Sequence, residues 1–415
     1  MPLRLKRAAL DETTTSVISA VMIALGPVSL SLYTPALPEL VQVFGATPSA
    51  VRSSLTIYFL GFCLAQLVCG PLSDAYGRRR VALGFFSLYL VGSVVCLFAP
   101  EIHWLQTGRA LQGVGAAAGI STARAVVRDL FVGQASARIM NRIGLLVGVV
   151  PALSPAAGSA LLTFLGLPSI FAVMLVYALV VVGVVAFVIP ETNLDPDPDL
   201  ARPGQVAANY FALLSDARFM GPSLIMAFVL GGLYTLPSLL PFVLIDTLGL
   251  SPLQYGLAMI AQTTALIVGN LIVGRLLRRI GARRLVPLGL AIIALGGLGF
   301  FLLWLVHALS LVTVVIPGAI WVFGLPFVTP GTMTSALSHF PRIAGAASAL
   351  IGFMQMGGGL VGSAVAAGLF HDPVTALGVV LPMTAAGACL SYAVMPIEPP
   401  AVREEGEGPD GSSHG

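Results

Sequence analysis

The sequence predicts an all-α protein that crosses a lipid bilayer twelve times, and composition and charge placement carry this prediction. Hydrophobic residues make up 57% of the 415 residues and charged residues only 9%, whereas soluble domains are about half apolar and about a quarter charged. Long stretches without Asp, Glu, Lys or Arg follow one another along most of the chain. A membrane-spanning helix needs about 20 mostly apolar residues, so these stretches provide the spans.

Ten such stretches hold the twelve predicted spans. The fifth and the eighth are each long enough for two spans, with breaks at the Gly-Leu-Pro sequence of residues 166–168 and around His307. The fourth reaches spanning length when residues 103–109 are added. The stretches are 13–38, 53–73, 81–100, 110–123, 143–190, 219–245, 247–274, 285–341, 343–371 and 373–397.

The basic residues give the orientation, because Lys and Arg are retained in short cytoplasmic loops. With the N-terminus in the cytoplasm, 19 of the 21 Lys and Arg residues lie on the cytoplasmic side. The exceptions are Arg52, at the start of the second span, and Arg109, inside the fourth. We therefore expect both termini in the cytoplasm and a multi-pass protein of the plasma membrane, the inner membrane of a bacterium.

Charge and reactive residues exclude other classes of function. The net charge of +3 reflects this sidedness, so the expected partner is the lipid bilayer and not nucleic acid. The five His residues show no metal-ligand spacing and no neighbouring nucleophile, so we expect no metal, no cofactor and no enzyme. The four Cys residues lie inside spans, where they pack as small apolar groups; a disulfide is the alternative.

A polar segment divides the chain into two six-span halves. We expect an N-terminal bundle over residues 1–190, a cytoplasmic linker over 191–218 and a C-terminal bundle over 219–397. The remainder, 398–415, is rich in Glu, Gly and Ser and is expected to be a disordered cytoplasmic tail.

The two halves share a segment at a fixed offset. Residues 70–81, Gly-Pro-Leu-Ser-Asp-Ala-Tyr-Gly-Arg-Arg-Arg-Val, align with residues 274–285, which lie 204 positions later. Both segments join the second and third spans of their half. Repeated six-span halves with a binding site at their interface are a transporter architecture.

The first copy resembles the loop signature of the major facilitator superfamily. Two glycines permit a tight turn, and Asp74 can pair with nearby arginines or with a helix N-terminus. In the family that it resembles, this loop latches the two halves in the outward-facing state. The latch residues that the resemblance implies are Gly70, Asp74, Gly77, Arg78, Arg79, Arg124, Arg128 and Asp129.

Further segments are similar to the Bcr/CflA group of drug-resistance transporters. These segments are 32–38 (Leu-Tyr-Thr-Pro-Ala-Leu-Pro), 109–113 (Arg-Ala-Leu-Gln-Gly), 123–131, 151–158 (Pro-Ala-Leu-Ser-Pro-Ala-Ala-Gly) and 344–350. In the place of the antiporter signature, the fifth span carries Gly148, Pro151, Pro155 and Gly158. The resemblance covers nearly the whole chain and implies drug export in exchange for protons.

Two positions depart from the group. An acidic residue usually stands two positions before the tyrosine of the first span, and Ser31 occupies that place here. The fifth span has Gly158 followed by Ser159 where the group has two glycines. Because a buried carboxylate is the usual proton carrier, the first departure removes the expected carrier, whereas the second exchanges one small residue for another.

Arg109 is the one charged residue deep inside a predicted span. A charge in hydrocarbon is costly and marks a functional site by default. Gln112 shares its helix face, and we place both with Ser31 and Tyr33 in a substrate or proton pathway. The alternative is an arginine that reaches outward to the interface or that ties down backbone carbonyls.

Other polar and aromatic residues inside spans are candidates for the same pathway. They are Gln66, Gln262, Asn270 and Gln355, with Tyr58 and Tyr234 as aromatic candidates. Each can instead form a hydrogen bond between helices. Together they predict a large, mostly apolar cavity with few donors, which suits lipophilic or uncharged substrates.

The sequence thus predicts a monomeric secondary transporter for multidrug efflux. It exports small lipophilic or amphipathic compounds by proton antiport while the two halves rock about a central cavity. Its expected partners are the lipid bilayer, a small-molecule substrate and protons. The alternative is a proton-independent facilitator, or a metabolite uptake carrier, of the same fold.

Overall fold

The computed structural model describes residues 10–131, 133–193, 196–340 and 343–394. All regular secondary structure in these residues is helical, which confirms the predicted all-α class. Short 3₁₀ and π turns connect some of the α-helices. The α-helices are α1 Glu12–Ser31, α2 Leu37–Val43, α3 Pro48–Tyr76, α4 Arg78–Leu97, α5 Ile102–Ala116, α6 Ala118–Leu130, α7 Gly133–Leu165, α8 Pro168–Phe187, α9 Pro203–Leu214, α10 Ala217–Pro241, α11 Pro252–Ile280, α12 Ala282–Leu305, α13 Leu311–Ser338, α14 Ala344–Gly368 and α15 Pro373–Val394.

Within the described ranges, ten helical segments are long and apolar enough to cross a membrane, against the twelve predicted. The fourth predicted span is divided into α5 and α6 at Ala117, and neither part reaches the required length. The fifth lies in α7, where the described apolar segment covers only Leu153–Leu165.

Both predicted breaks inside the long apolar stretches are present. The junction of α7 and α8 contains Gly166 with φ +76°, and Pro168 begins α8. The junction of α12 and α13 contains His307 with φ +49°. A left-handed residue ends a right-handed helix, so each stretch forms two helices.

Two hydrophobic cores divide the helices into two bundles. The first core is formed chiefly by residues of α1 to α8, the N-terminal bundle. The second is formed by residues of α10 to α15, the C-terminal bundle. The repeated segment has the same role in both, because Gly77 has φ +100° between α3 and α4 and Gly281 has φ +78° between α11 and α12.

The bundles pack together mainly through α3 against α14 and α7 against α11. We call the end that carries the connection between the bundles the linker end and the opposite end the far end. The connection contains α9, whose Tyr210 Oη donates to the carbonyl of Leu67 in α3 at 2.6 Å. The basic residues before position 10, Arg342 and the predicted tail lie outside the described residues.

Candidate functional site

A cavity of about 290 Å³ lies between the two bundles. Residues of α1 and α7 line one side, and residues of α10, α11 and α13 line the other. Ser31 is the last residue of α1 and Tyr255 stands in the first turn of α11, which places the cavity toward the far end. Its lining residues are Pro27, Leu30, Ser31, Thr34, Pro155, Leu233, Tyr234, Leu236, Pro237, Leu240, Tyr255, Met259, Gln262, Thr263, Leu266 and Val322.

The polar groups of this cavity are hydroxyls and one amide, and none of its described lining residues is charged. Thr34 Oγ1 lies 3.3 Å from Tyr255 Oη, and this hydrogen bond joins the two bundles. The Nε2 atom of Gln262 is buried without a hydrogen-bond partner among the described residues. Mostly apolar walls with a few neutral polar groups suit an uncharged organic ligand.

Arg109 lies inside the N-terminal bundle, fully buried, and is not among the residues that line the cavity. Its guanidinium carbon is 4.6 Å from the ring centre of Tyr33 and 4.4 Å from that of Tyr58. Nη1 donates to Gln112 Oε1 at 2.7 Å and to the carbonyl of Ser29 at 3.4 Å. Two aromatic faces and two acceptors thus replace water around the cation.

Tyr33 and Tyr58 form an aromatic cage, and each ring is held in place by its hydroxyl. Tyr33 Oη lies 2.9 Å from Ser54 Oγ on α3. Tyr58 Oη donates to the carbonyl of Gly26 on α1 at 3.1 Å. Since α1 and α3 fix both rings, the cage is a preformed part of the N-terminal bundle.

The predicted pathway residues divide into three groups. Those on the cavity wall are Ser31, Tyr234 and Gln262. Tyr33, Arg109 and Gln112 form the separate buried cluster around the aromatic cage. Full burial excludes the alternative in which Arg109 reaches outward, and its bond to a backbone carbonyl agrees with the other alternative.

Asn270 and Gln355 make up the third group and do not line the cavity. Asn270 is exposed on α11, and its Nδ2 donates to the carbonyl of Leu266 at 2.9 Å, one turn earlier. Gln355 Nε2 lies 3.6 Å from Met226 Sδ, a contact that joins α14 to α10. Gln355 thus makes the contact between helices that was the alternative to a pathway role, whereas Asn270 bonds within its own helix.

At the linker end, Arg78 joins the two acidic residues of the predicted latch. Its guanidinium forms an ion pair with Asp74, and its Nε lies 3.2 Å from Asp129 Oδ2. Arg128 is more exposed and lies farther from the same carboxylates, at 3.9 Å and 3.7 Å. These residues all belong to the N-terminal bundle, so the ion pairs hold α3, α4 and α6 together.

The turn of the latch segment depends on Gly77, which has φ +100°. Gly70 lies inside α3, so the expectation of two turn-forming glycines is wrong at that position. Glu191, which sequence reasoning missed, accepts hydrogen bonds from the backbone N–H groups of Arg78 at 2.8 Å and Arg79 at 3.1 Å. It caps the N-terminus of α4, and an acidic residue directly after the sixth span was the available signal.

Arg124 is the predicted latch residue that connects the bundles at the linker end. Its Nη1 donates to Ser348 Oγ on α14 at 2.9 Å. Arg79 instead stays within its own bundle, where its Nε donates to the carbonyl of Val185 near the end of α8 at 3.3 Å.

The antiporter-type motif lies in α7. Pro155 lines the cavity. A Cβ atom at Gly158 would lie 2.2 Å from the carbonyl oxygen of Leu32, so glycine allows α7 to pack directly against the end of α1. Gly148 and Pro151 lie outside the residues whose side chains the structure describes.

The family model of the Major Facilitator Superfamily matches residues 19–363. The chain belongs to the major facilitator superfamily. It is therefore a membrane transporter and not an enzyme. Together with its membrane-spanning helices and its bacterial relatives, this membership makes it a multi-pass protein of the bacterial inner membrane.

Three curated relatives of this major facilitator chain illustrate its place in the superfamily. An uncharacterised transporter of Bacillus subtilis, YdgK, is 30% identical over 372 residues, which cover 89% of this chain and 92% of the relative. A bicyclomycin resistance protein homolog of Haemophilus influenzae is 27% identical over 374 residues, with coverages of 89% and 92%. Multidrug resistance protein D of Escherichia coli is 26% identical over 346 residues, with coverages of 82% and 86%. These relatives confirm the resemblance to the Bcr/CflA group.

Solved structures of other superfamily members share the fold. The xylose transporter XylE of Escherichia coli, in a partially occluded inward-open conformation, has a TM-score of 0.72 at 13% identity and covers 92% of this chain and 97% of its own. The human organic anion transporter MFSD10 has a TM-score of 0.66 at 17% identity, with coverages of 93% and 100%. At these identities the similarity concerns the fold.

Proposed function

We propose that this major facilitator chain exports small, uncharged lipophilic or amphipathic compounds by alternating access, in exchange for protons. The cavity between the bundles is the observation that carries the proposal, because both bundles line it and its polar groups are neutral. A site shared by two repeated bundles opens to opposite sides as the bundles rock against each other. The names of two relatives, a bicyclomycin resistance protein homolog and a multidrug resistance protein, support drug export.

The proposal includes twelve crossings. In it, α5 and α6 together form the fourth crossing, since Ala117 between them keeps helical backbone angles of φ −59° and ψ −29°. The long helix α7 forms the fifth. The positive-inside rule places the linker end and both termini in the cytoplasm. The cavity needs one copy of each bundle, which agrees with a monomer.

Ser31, Tyr234 and Gln262 are the proposed substrate contacts, because they bring polar groups to the cavity wall. Arg109 acts at a distance. Tyr33 stacks on its guanidinium and follows Ser31 by two residues, so a shift of the end of α1 changes the cavity and the aromatic cage together.

A proton-independent facilitator, or a metabolite uptake carrier, of the same fold is the second candidate. Ser31 favours it, because this position on the cavity wall has a hydroxyl where the resembled group has a carboxylate. No Asp or Glu is among the described residues that line the cavity. Export by antiport then needs a titratable group elsewhere.

Drug susceptibility tests the export proposal. The chain is expressed in an efflux-deficient bacterial host, and the minimum inhibitory concentrations of a panel of neutral and cationic drugs are measured. We expect neutral lipophilic drugs to become about tenfold less effective and Gln262→Ala to abolish much of this protection. Asn270→Ala is the matched control, because it removes an exposed amide from the same helix. Equal losses of drug protection in both variants would contradict the proposal that the substrate binds in this cavity.

Inverted membrane vesicles test the coupling. We expect uptake of a drug identified by the panel to require an inside-acid pH gradient and to stop when an ionophore collapses that gradient. Uptake that reaches the same level without the pH gradient would contradict proton antiport and favour the proton-independent facilitator. Parallel vesicles without the chain give the rate of passive entry.

A further inference from the structure

Arg52 is a buried cation at the far end that the proposed substrate site does not use. It lies near the start of α3 and is one of the two basic residues that depart from the expected cytoplasmic placement. Only 2% of the residue is exposed. A buried charge has to be matched by its surroundings, so its partners indicate its role.

The partners of Arg52 belong to the opposite bundle. Nη1 donates to the carbonyl of Ala366 at 3.1 Å, and Nη2 donates to the carbonyl of Phe370 at 3.2 Å. The guanidinium carbon also lies 5.7 Å from the ring centre of Phe242, in the turn that follows α10. One side chain of the N-terminal bundle thus contacts two elements of the C-terminal bundle.

The carbonyl of Ala366 lies in the last turn of α14, which finishes at Gly368, and that of Phe370 lies two residues beyond this end. The last four carbonyls of a helix lack partners within it and carry the negative end of the helix dipole. Ser49, one turn before Arg52, adds a third bond across the same interface, since its Oγ donates to the carbonyl of Ala367 at 2.7 Å. α3 therefore caps the C-terminus of α14 at the far end.

All three acceptors are neutral. None of the ion pairs formed within the described ranges includes Arg52. Its Nε has no hydrogen-bond partner there either. Bonds to carbonyls can be exchanged for bonds to water when the helices part, whereas separation from a buried carboxylate would leave two unpaired charges. This cap can hold the interface closed and still release it.

We propose that Arg52 is a positioning residue that keeps the far end closed, and that it releases the end of α14 each time the cavity opens on that side. The cavity lies toward the same end, between Ser31 and Tyr255. The inference rests on the alternating-access part of the proposed function and is independent of the substrate and of the coupling ion.

A labelling experiment without any substrate tests this role. A reporter chain carries Ser31→Cys in the cavity and Cys389→Ser, which removes the one native cysteine that is not buried. A membrane-impermeant maleimide is applied to spheroplasts and to inverted vesicles, so that each end is probed separately. Arg52→Gln and Arg52→Lys are compared with the parent reporter. Arg202→Gln, an exposed arginine near the linker end, is the matched control.

We expect Arg52→Gln to raise the labelling rate from the far-end side about tenfold, which corresponds to about 1.4 kcal/mol in the closing equilibrium. Arg52→Lys keeps the charge and should raise it less, by about threefold. Arg202→Gln should leave it unchanged. An unchanged rate in Arg52→Gln, or an equal rise in Arg202→Gln, overturns the inference.

If Arg52→Gln does not yield monodisperse protein on size exclusion, Arg52→Lys decides, and an unchanged rate in that variant overturns the inference. The drug panel separates this outcome from a failure of the export proposal. If Arg52→Gln raises the labelling rate but the chain protects against no drug, the role of Arg52 is supported and the export proposal is contradicted.

Discussion

Two neighbouring glycines of α14, Gly357 and Gly358, offer a matched test of the packing between α14 and α10. A Cβ atom at Gly358 would lie 2.1 Å from the carbonyl oxygen of Ala227 in α10. A Cβ atom at Gly357 would meet nothing within 4 Å. The same substitution, Gly to Ala, should therefore be harmless at one position and destabilising at the next.

The magnitude follows from the difference between the two sites. Both variants gain about 1 kcal/mol of helix propensity, since Gly is that much less favourable than Ala inside a helix. The obstacle at Gly358 is a backbone atom, so relief requires α10 and α14 to move apart, and overpacking of this kind costs about 1–3 kcal/mol. We expect the free energies of unfolding of Gly357→Ala and Gly358→Ala to differ by about 1–3 kcal/mol.

The assay is reversible unfolding of the purified protein in mixed detergent micelles, followed by circular dichroism. Gly357→Ala should be as stable as the parent or up to about 1 kcal/mol more stable, and Gly358→Ala should be less stable than both. Free energies of unfolding that agree within about 0.5 kcal/mol would refute the close packing of α10 on α14. Loss of transport in Gly358→Ala with unchanged stability would instead indicate that these helices slide during the cycle.

Four further outcomes are expected. Arg109→Ala should abolish transport while membrane insertion, measured by fluorescence of a fused reporter, stays normal; Arg109→Lys should not restore it, because an ammonium cannot stack between two rings as a planar guanidinium does. Asp74→Asn should lower kcat more than it raises KM, because its ion pair with Arg78 lies at the linker end, away from the cavity. Ser31→Asp should make transport rates more pH-dependent, and an unchanged profile would place the proton carrier elsewhere. Burial tends to raise the pKa of Asp372, yet hydrogen bonds from Thr375 hold this pKa below its ordinary value. The Asp372 cap of α15 should therefore stabilise the protein at any pH above the ordinary pKa and lose its effect as the pH falls through the lowered pKa. Asp372→Ala should remove this pH dependence from thermal unfolding.

Local chemistry explains why the helix breaks could be predicted from the sequence. Gly166 and Pro168 interrupt a run of apolar residues with the two residue types that end helices, and the structure has a junction there. The division at Ala117 carries no such signal. Close packing on α1 follows directly after it, since a Cβ at Gly119 would lie 2.2 Å from the carbonyl oxygen of Met22.

Gln262 and Asn270 show where prediction of the site from sequence ends. They are eight residues apart on α11, which places them about 80° apart around the helix axis, so periodicity alone suggests similar surroundings. In the structure, Gln262 lines the cavity and Asn270 is exposed. The difference arises because the part of α11 near the far end packs against α7 and faces the cavity, and only the folded chain shows which helix stands opposite each turn.

Contacts between distant segments were equally beyond the sequence. Glu191 caps α4 from the segment that follows α8, and Arg52 caps α14 from the other half of the chain. Both use backbone groups as partners, and a backbone N–H or carbonyl is present at almost every position. Residue type therefore indicates that such a side chain needs a partner but gives no information on where the partner lies.

Arg109 limits the ways in which protons can drive the proposed antiport. Its burial is offset by the rings of Tyr33 and Tyr58 and by the oxygen of Gln112, but its Nε and Nη2 have no hydrogen-bond partner within the described residues. A guanidinium remains protonated in proteins, so Arg109 cannot itself release and rebind a transported proton. Its effect has to be electrostatic: it favours negative charge and disfavours a second cation in the N-terminal bundle. A proton carrier introduced by Ser31→Asp, two residues from the stacked Tyr33, would feel this field, and for that reason the Ser31→Asp pH profile should change with Arg109 present and change less in the Arg109→Ala background.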